Sequence, residues 1–506
     1  MSAARNGGFD RGVRVDWRTC LSLVGAVLVA LVVPLVTVAG VAVLSDDPPG
    51  PFLVTAGITF AVGVALSRYE RGDLGAREGY LIVALVWLAI AVVGAVPFVL
   101  AGNGALASPI NATFESTSGV TTTGATVIQD FDAHGRATHL WRSFLQWLGG
   151  LGILVIAVAV LSQLSVGGAQ LMETESQTQD VNKLTPSIEQ TAQLLGGIYA
   201  GLTGLMILTW LALGVVGFGP NVTLYDAVAH AFTAVSTAGF SPRAESLGAF
   251  SPAVQWVTIP FMFTGATNFV ILYYLIQGDP SRLLDSEEFR FYTGVVAFLT
   301  ALTAGFLYTS GQFDAARPTL RHALFQAVSI LTTTGYATMN FDLWSPAAKH
   351  VLFLAMFSGG MAGSTTCSIK TLRWLVVVKS FRRDLFTEIH PDAIRPIRLS
   401  GRVVDEAVVK DIYAYVLLSV VVFVLLTVFV VTDAARAGIT VDEFTALGAA
   451  AATFLNIGPA FGQAGPYGDY AFFPATTRAA FIVLMWVGRI EIIPVLVLLT
   501  PAYWRS

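Results

Sequence analysis

Ten stretches of this chain are apolar for long enough to cross a lipid bilayer: 19–44, 51–67, 79–101, 139–165, 189–217, 252–277, 288–310, 348–378, 409–432 and 477–499. A spanning helix needs about 20 such residues, and in lipid a backbone can satisfy its hydrogen bonds only within helices or a closed barrel. Composition agrees: 55% of the 506 residues are hydrophobic, 12% are charged, and mean hydropathy is +0.69. Three soluble domains, the reading by length alone, are thereby excluded. The expectation is an all-α integral membrane protein. A net charge of −4 argues against a nucleic-acid partner. The apolar run after Arg5, Arg11, Arg14 and Arg18 is too long for a signal-peptide core and reads as a retained first span. Cys20 and Cys367 offer neither a disulfide framework nor metal-ligand spacing.

Four short peptides ending in glycine follow the third, fifth, seventh and ninth stretches. They are Thr121-Thr122-Thr123-Gly124, Ser236-Thr237-Ala238-Gly239, Thr332-Thr333-Thr334-Gly335 and Leu455-Asn456-Ile457-Gly458. Their glycines lie 115, 96 and 123 residues apart, too far for a solenoid repeat. The spacing suits a unit of helix, re-entrant loop and helix. Four such loops around one axis can replace a cation's water shell with backbone carbonyls. Glycine permits the positive φ that such a path needs, and threonine adds a compact hydroxyl. One copy alone reads as a helix C-cap; four copies in corresponding gaps read as a fourfold filter. Its expected ion ligands are Thr122, Thr123, Gly124, Thr237, Ala238, Gly239, Thr333, Thr334, Gly335, Asn456, Ile457 and Gly458, with no transition-metal site.

Helix start signals precede each peptide. Ser108 with Pro109, then Thr223 and Thr319, each lie 16 residues before their glycine, and Thr440 lies 18 before Gly458. Thr223 to Asp226 and Thr440 to Glu443 have capping-box spacing. Four pore helices are expected, each ending at a glycine peptide with its negative dipole end toward the cation path. Lysine and arginine placement puts the N-terminus inside, the four peptides outside, and the C-terminus inside at Arg505. The richest inner loop, 379–410, carries Lys379, Arg382, Arg383, Arg395, Arg398, Arg402 and Lys410.

The segment Phe114-Glu115-Ser116 through Ser118-Gly119-Val120-Thr121-Thr122-Thr123-Gly124-Ala125-Thr126 resembles the first pore loop of the Trk/Ktr/HKT superfamily of potassium transporters. His230-Ala231-Phe232 through Gly239-Phe240-Ser241 is similar to the second loop. Phe325 through Gly335-Tyr336 and Phe454 through Gly458-Pro459 are similar to the third and fourth, and Trp147-Leu148-Gly149-Gly150-Leu151-Gly152-Ile153 also fits. The resemblance covers about residues 79 to 503, and two extra leading spans point to its TrkH branch, a membrane subunit. It implies potassium uptake through a pseudo-fourfold pore. A serine at the first filter glycine marks sodium-preferring plant members, whereas this chain has Gly124. Loops two and four are less regular, so an asymmetric, less selective filter is expected.

The eighth stretch contains Gly359, Gly360, Gly363, Ser364, Thr365, Thr366, Cys367, Ser368 and Lys370. Three glycines and a polar run disfavour a regular lipid-facing helix, each glycine costing about 1 kcal/mol relative to alanine. A kinked, closely packed helix is the alternative. The resemblance implies an intramembrane gating loop built from Gly359, Gly360, Gly363, Ser364, Thr365 and Thr366. The family has Gly-Gly where this chain has Cys367-Ser368, a departure that stiffens the loop. Arg489 lies inside the last stretch, where a charge costs several kcal/mol unless paired or hydrated. A structural pair or snorkelling is one reading; the resemblance places it beside the loop as an electrostatic barrier. Glu491 is a poor same-face partner for it. Arg142 reads as a packing or snorkelling residue, and His230 and His322 as structural.

No phosphate-cradling or dinucleotide motif occurs, and no nucleophile–base set, so the chain is not read as an enzyme and carries no cofactor of its own. The expected units are a two-helix region at 1–72 and pore units at 73–175, 176–282, 283–400 and 401–506. The resemblance implies a homodimer in the cell membrane and a cytoplasmic nucleotide-binding regulatory subunit of the TrkA type. Docking surfaces for that subunit are expected at 379–410, 166–188 and 278–287. Potassium is the expected cargo with sodium as second ion, and a sodium- or proton-coupled symporter or a less selective Na/K permease is the alternative.

Overall fold

The computed structural model describes residues 15–72, 74–159 and 188–505. Two leading helices, α1 (Trp17–Leu44) and α2 (Gly50–Ser67), form a tight hairpin. Asp16 caps α1 by accepting from the Arg18 and Thr19 N–H groups. Gly25 faces Gly63, and a Cβ built on Gly25 would sit 2.7 Å from the Gly63 carbonyl oxygen. Small residues thus let the two backbones approach closely.

The first helix–loop–helix unit runs through α3 (Ala76–Ala101), α4 (Pro109–Val120) and α5 (Arg136–Ala159). The second has α6 (Ile188–Val215), α7 (Leu224–Val235), and then α8 (Pro252–Gly265) and α9 (Phe269–Ile276). After the short α10 (Ser281–Asp285), the third has α11 (Glu287–Thr309), α12 (Ala316–Leu331), α13 (Pro346–Ala355) and α14 (Thr371–Ile389). A small antiparallel hairpin, β1 (Arg398–Leu399) and β2 (Arg402–Val403), leads to the fourth unit. That unit has α15 (Glu406–Arg436), α16 (Glu443–Phe454), α17 (Ala475–Ile490) and α18 (Ile492–Leu499), followed by α19 (Pro501–Arg505).

Six described helices are long and apolar enough to cross a membrane alone, with 22–39% of each apolar window buried in protein. Most of their apolar surface therefore faces outward, as helices solvated by lipid require. The short helices α4, α7, α12 and α16 are the reverse: they are buried along most of their length. They fill the centre of the bundle.

Several expected spans are broken. The run 252–277 is two helices bent by 108°, because Asn268 caps a new helix by accepting from the Val270 and Ile271 N–H groups. The last run bends by 109° at Glu491 (φ 67°). The eighth is interrupted between α13 and α14 by the glycine-rich loop, so the kinked continuous helix is not what forms. Pore-helix starts also differ. Thr223 caps α7 with Asp226 as expected, whereas Ser108 sits at the cap position without a side-chain cap bond. The helix α12 begins at Ala316, ahead of Thr319, whose hydroxyl donates back to the Ala315 carbonyl (2.8 Å). At α16 the cap is Asp442, accepting from the Thr445 N–H (3.0 Å), not Thr440.

Candidate functional site

Each of the four short buried helices, α4, α7, α12 and α16, ends in the same backbone figure. The residue two before the glycine is left-handed, at φ 56°, 50°, 53° and 56° for Thr122, Thr237, Thr333 and Asn456. The glycine follows at φ 83°, 77°, 80° and 100°. The N–H groups of Thr123 and Gly124 both turn back to the Ser118 carbonyl, and those of Ala238 and Gly239 to Thr233. Thr334 and Gly335 do the same to Ser329, and Ile457 and Gly458 to Ala452. The helix-cap reading and the filter reading are therefore one geometry. Capping absorbs the N–H groups and leaves the carbonyls to point elsewhere.

The four loops close a ring in chain order. A Cβ on Gly124 would lie 2.3 Å from the Ala238 oxygen, one on Gly239 1.8 Å from Thr334, one on Gly335 2.2 Å from Ile457, and one on Gly458 2.5 Å from Thr123. Each glycine is thus pressed against the next loop's carbonyl, and the fourth against the first. No side chain fits there. A single cavity is lined by all four glycines, together with Arg142, Arg243 and Tyr470.

The ring is not fourfold in its side chains. In loops one and three, Thr121 pairs with Thr123 and Thr332 with Thr334, each at 2.7 Å between hydroxyl oxygens. In loop two the Ala238 carbonyl accepts from Gln146 Nε2 (2.6 Å), and in loop four the Gly458 carbonyl accepts from the Tyr470 hydroxyl (2.7 Å). Asn456 Nδ2 donates to Thr123 Oγ1 (2.8 Å) and to the Met485 carbonyl (2.8 Å), tying loop four to loop one and to α17.

Arg142 is not a snorkelling residue. It is 1% exposed, and its Nε bonds Glu115 Oε1 (2.7 Å) at the base of loop one. Its Nη1 reaches the Ser241 carbonyl of loop two (3.2 Å), and its guanidinium stacks 4.1 Å from the Phe240 ring. Glu115 in turn accepts from the Val127 N–H (2.9 Å), beyond Gly124. Gln146, also on α5, holds loop two a second time by accepting from the Phe240 N–H (2.9 Å). Sequence reading missed Glu115 and Gln146 as supports; for Glu115 the signal was an acid in the otherwise uncharged helix α4. His230 and His322 are structural as expected, bonded to Ser241 Oγ (2.9 Å) and Thr338 Oγ1 (2.7 Å).

The loop between α13 and α14 lies against the left-handed threonines. Thr365 Oγ1 pairs with Thr237 Oγ1 (3.0 Å), and Cys367 N–H donates to Thr333 Oγ1 (3.1 Å). Gly359 and Gly360 are held by close approach, their added Cβ atoms falling 2.2 Å from the Cys367 oxygen and 2.6 Å from the Ala266 oxygen. Gly363 has φ 74°. Ser364 Oγ and Thr366 Oγ1 pair at 2.8 Å, and Lys370 Nζ donates to Thr366 Oγ1 (2.9 Å). Arg489, 2% exposed, donates from Nη1 to the Thr365 carbonyl (2.9 Å) and Cys367 Sγ (2.9 Å), and from Nη2 to the Gly149 carbonyl (2.8 Å). Glu491 faces away from it and pairs with Arg373 (2.7 Å), whose guanidinium stacks 3.8 Å from the Tyr415 ring. That pair was not foreseen. The expected docking loops 278–287 and 379–410 are both described, whereas most of 166–188 lies outside the described residues.

Comparison with known proteins agrees with this architecture. The TrkH family, described as cation transport proteins, matches residues 52–308 and 311–506. The Trk system potassium uptake protein TrkH of Halomonas elongata is 37% identical over 465 residues, 90% of this chain and 92% of that protein. TrkH of Escherichia coli K12 is 32% identical over 97% of this chain and all of its own length. The crystal structure of the potassium transporter TrkH from Vibrio parahaemolyticus superimposes with a TM-score of 0.86 at 32% identity, covering 97% of this chain and 100% of that one. The chain is a multi-pass membrane protein, a transporter subunit and not an enzyme, and it belongs to the TrkH family of cation transport proteins.

Proposed function

We propose that this protein takes up potassium across the cell membrane through a pore whose selectivity filter is the ring of Gly124, Gly239, Gly335 and Gly458. The observation that carries this reading is the closed chain of glycine-to-carbonyl approaches, 1.8–2.5 Å from each would-be Cβ. It leaves no lateral gap at the centre of the bundle, so a dehydrated cation meets backbone oxygen on every side. The relatives' name, potassium uptake protein, favours potassium as the cargo. The carbonyls of Ala238 and Gly458 are shared with Gln146 and Tyr470. That sharing supports an asymmetric filter of moderate selectivity.

The loop of Gly359, Gly360, Gly363, Ser364, Thr365 and Thr366 is the gate, and Arg489 is its lock. A guanidinium at this depth repels a passing cation and fixes the loop through the Thr365 carbonyl. The filter faces outside and both termini are cytoplasmic, following the basic residues of 379–410. The pore units are 73–175, 176–282, 283–400 and 401–506, after the two-helix region 1–72. The protein works as a homodimer with a TrkA-type nucleotide-binding subunit docking at 278–287, 379–410 and the segment 166–188.

Rescue of a potassium-uptake-deficient strain at low potassium, repeated in sodium-free medium, tests the reading. Growth in both media is expected. No rescue would refute potassium uptake, and rescue only with sodium would mark a coupled symporter.

A further inference from the structure

The gate loop meets loop two and loop three through Thr365 and the Cys367 backbone, but it meets loop one through a thiol. Cys367 Sγ lies 3.8 Å from Thr122 Oγ1 and 3.9 Å from the Thr121 carbonyl oxygen. The same sulfur accepts from Arg489 Nη1 at 2.9 Å. A thiol carries one proton and can also accept, so it donates to an oxygen of loop one while receiving from the guanidinium. Cys367 is 5% exposed, so these contacts are made without competing solvent.

We propose that Cys367 is a positioning residue for gating: its thiol bridges Arg489 to filter loop one and holds the gate loop against the filter's inner rim. The inference rests on the gate reading above. Among the described residues Arg489 reaches only three acceptors, two of them backbone carbonyls, and its Nε has no partner there. Losing the sulfur leaves a buried guanidinium with two acceptors and leaves loop one without that link. The loss falls on the closed arrangement alone, because an open gate has already parted from Arg489. Removing the thiol therefore shifts the balance toward open. Sulfur is a weak acceptor, so the shift is that of one ordinary hydrogen bond, about three- to tenfold.

Flux of tracer rubidium into liposomes holding the purified full-length protein tests the bridge. Cys367→Ala is expected to raise flux three- to tenfold and Arg489→Ala to raise it at least as much. The double variant should leak no more than the leakier single, because both changes break one link. Cys367→Ser, which keeps a donor and acceptor, should leak less than Cys367→Ala. Wild-type flux in Cys367→Ala with raised flux in Arg489→Ala would overturn the bridge and spare the gate reading. Wild-type flux in both would overturn the gate reading and the bridge together. Independent, multiplying effects in the double variant, or a Ser variant as leaky as Ala, would also overturn the bridge. Labelling gives a second measure with the thiol left in place. A cationic methanethiosulfonate should modify Cys367 faster in Arg489→Ala than in the wild-type chain. Equal labelling rates would count against the bridge.

Discussion

The glycine ring and the loop after α13, proposed above as filter and gate, touch, yet the contacts within the ring and those between ring and loop differ in kind. The ring is backbone against backbone, repeated four times, with every glycine pressed on the next loop's carbonyl. The gate loop occurs once; backbone bonds tie it to the turn before α9, as from the Met361 N–H to the Ala266 carbonyl (2.9 Å), but side chains hold it to the ring and to α17: Thr365, Cys367 and Arg489. Backbone contacts of the ring's kind admit a side chain only if the next loop shifts, so one substitution in the ring acts on two loops at once. Side-chain bonds contribute about 1 kcal/mol each, more where a charge takes part, so the gate can be loosened by degrees. A pore needs the first property for selection and the second for opening.

The largest break comes from adding one carbon to the ring. Gly239→Ala combines φ 77° with a Cβ 1.8 Å from the Thr334 oxygen, and uptake in the deficient strain should be abolished while the protein still reaches the membrane. Growth at low potassium with Gly239→Ala would refute the ring. Gly124→Ser meets its neighbour at 2.3 Å and should lower the potassium-to-sodium flux ratio; an unaltered ratio would remove Gly124 from the selecting surface.

Next in size is the buried pair beneath the ring. Glu115→Gln leaves the Arg142 guanidinium, 1% exposed, without its anion. Breaking one side of such a pair costs about 3–5 kcal/mol. A lower unfolding temperature in detergent is expected, with loops one and two loosened together because Arg142 also reaches the Ser241 carbonyl. Replacing both charges, Glu115→Leu with Arg142→Met, should recover part of the loss. If the double variant is as unstable as Glu115→Gln alone, the charge is not what the site requires.

The same contrast explains what was legible in the sequence. The ring was readable because its signals are local and repeated: an apolar helix and a glycine in each unit, with threonine before the glycine in three of the four. Arg489 and the glycine run were readable because each offends a simple rule for lipid-facing helices. The supports were not, because their partners are far apart in sequence. Glu115 meets Arg142 across a filter loop, and Arg373 meets Glu491 across 118 positions. The break at Asn268 was hidden for another reason. Hydropathy averages over a window, and one capping asparagine in the run 252–277 hardly changes the mean, although it turns the chain by 108°.

The smallest expected effect sharpens the boundary between the two regions. Ser368 holds φ 62°, a left-handed conformation that costs a serine about 1 kcal/mol. Ser368→Gly relieves that strain and loses the Ser368 Oγ bond to the Met356 carbonyl (2.7 Å), a loss of about 1 kcal/mol. Glycine also adds freedom to the unfolded chain, about 0.5–1 kcal/mol. Together these leave a net loss of about 0.5–1 kcal/mol, so the unfolding temperature should fall by no more than a few degrees. Flux should not stay still. The Met356 bond anchors the loop to the end of α13, and without it the closed gate loses one tether while the ring keeps all of its contacts. A rise of about twofold in tracer flux with an unchanged potassium-to-sodium ratio is expected. A changed ratio would mean that the gate loop shapes the ring from below, and the division between a rigid filter and a tunable gate would fail at Ser368.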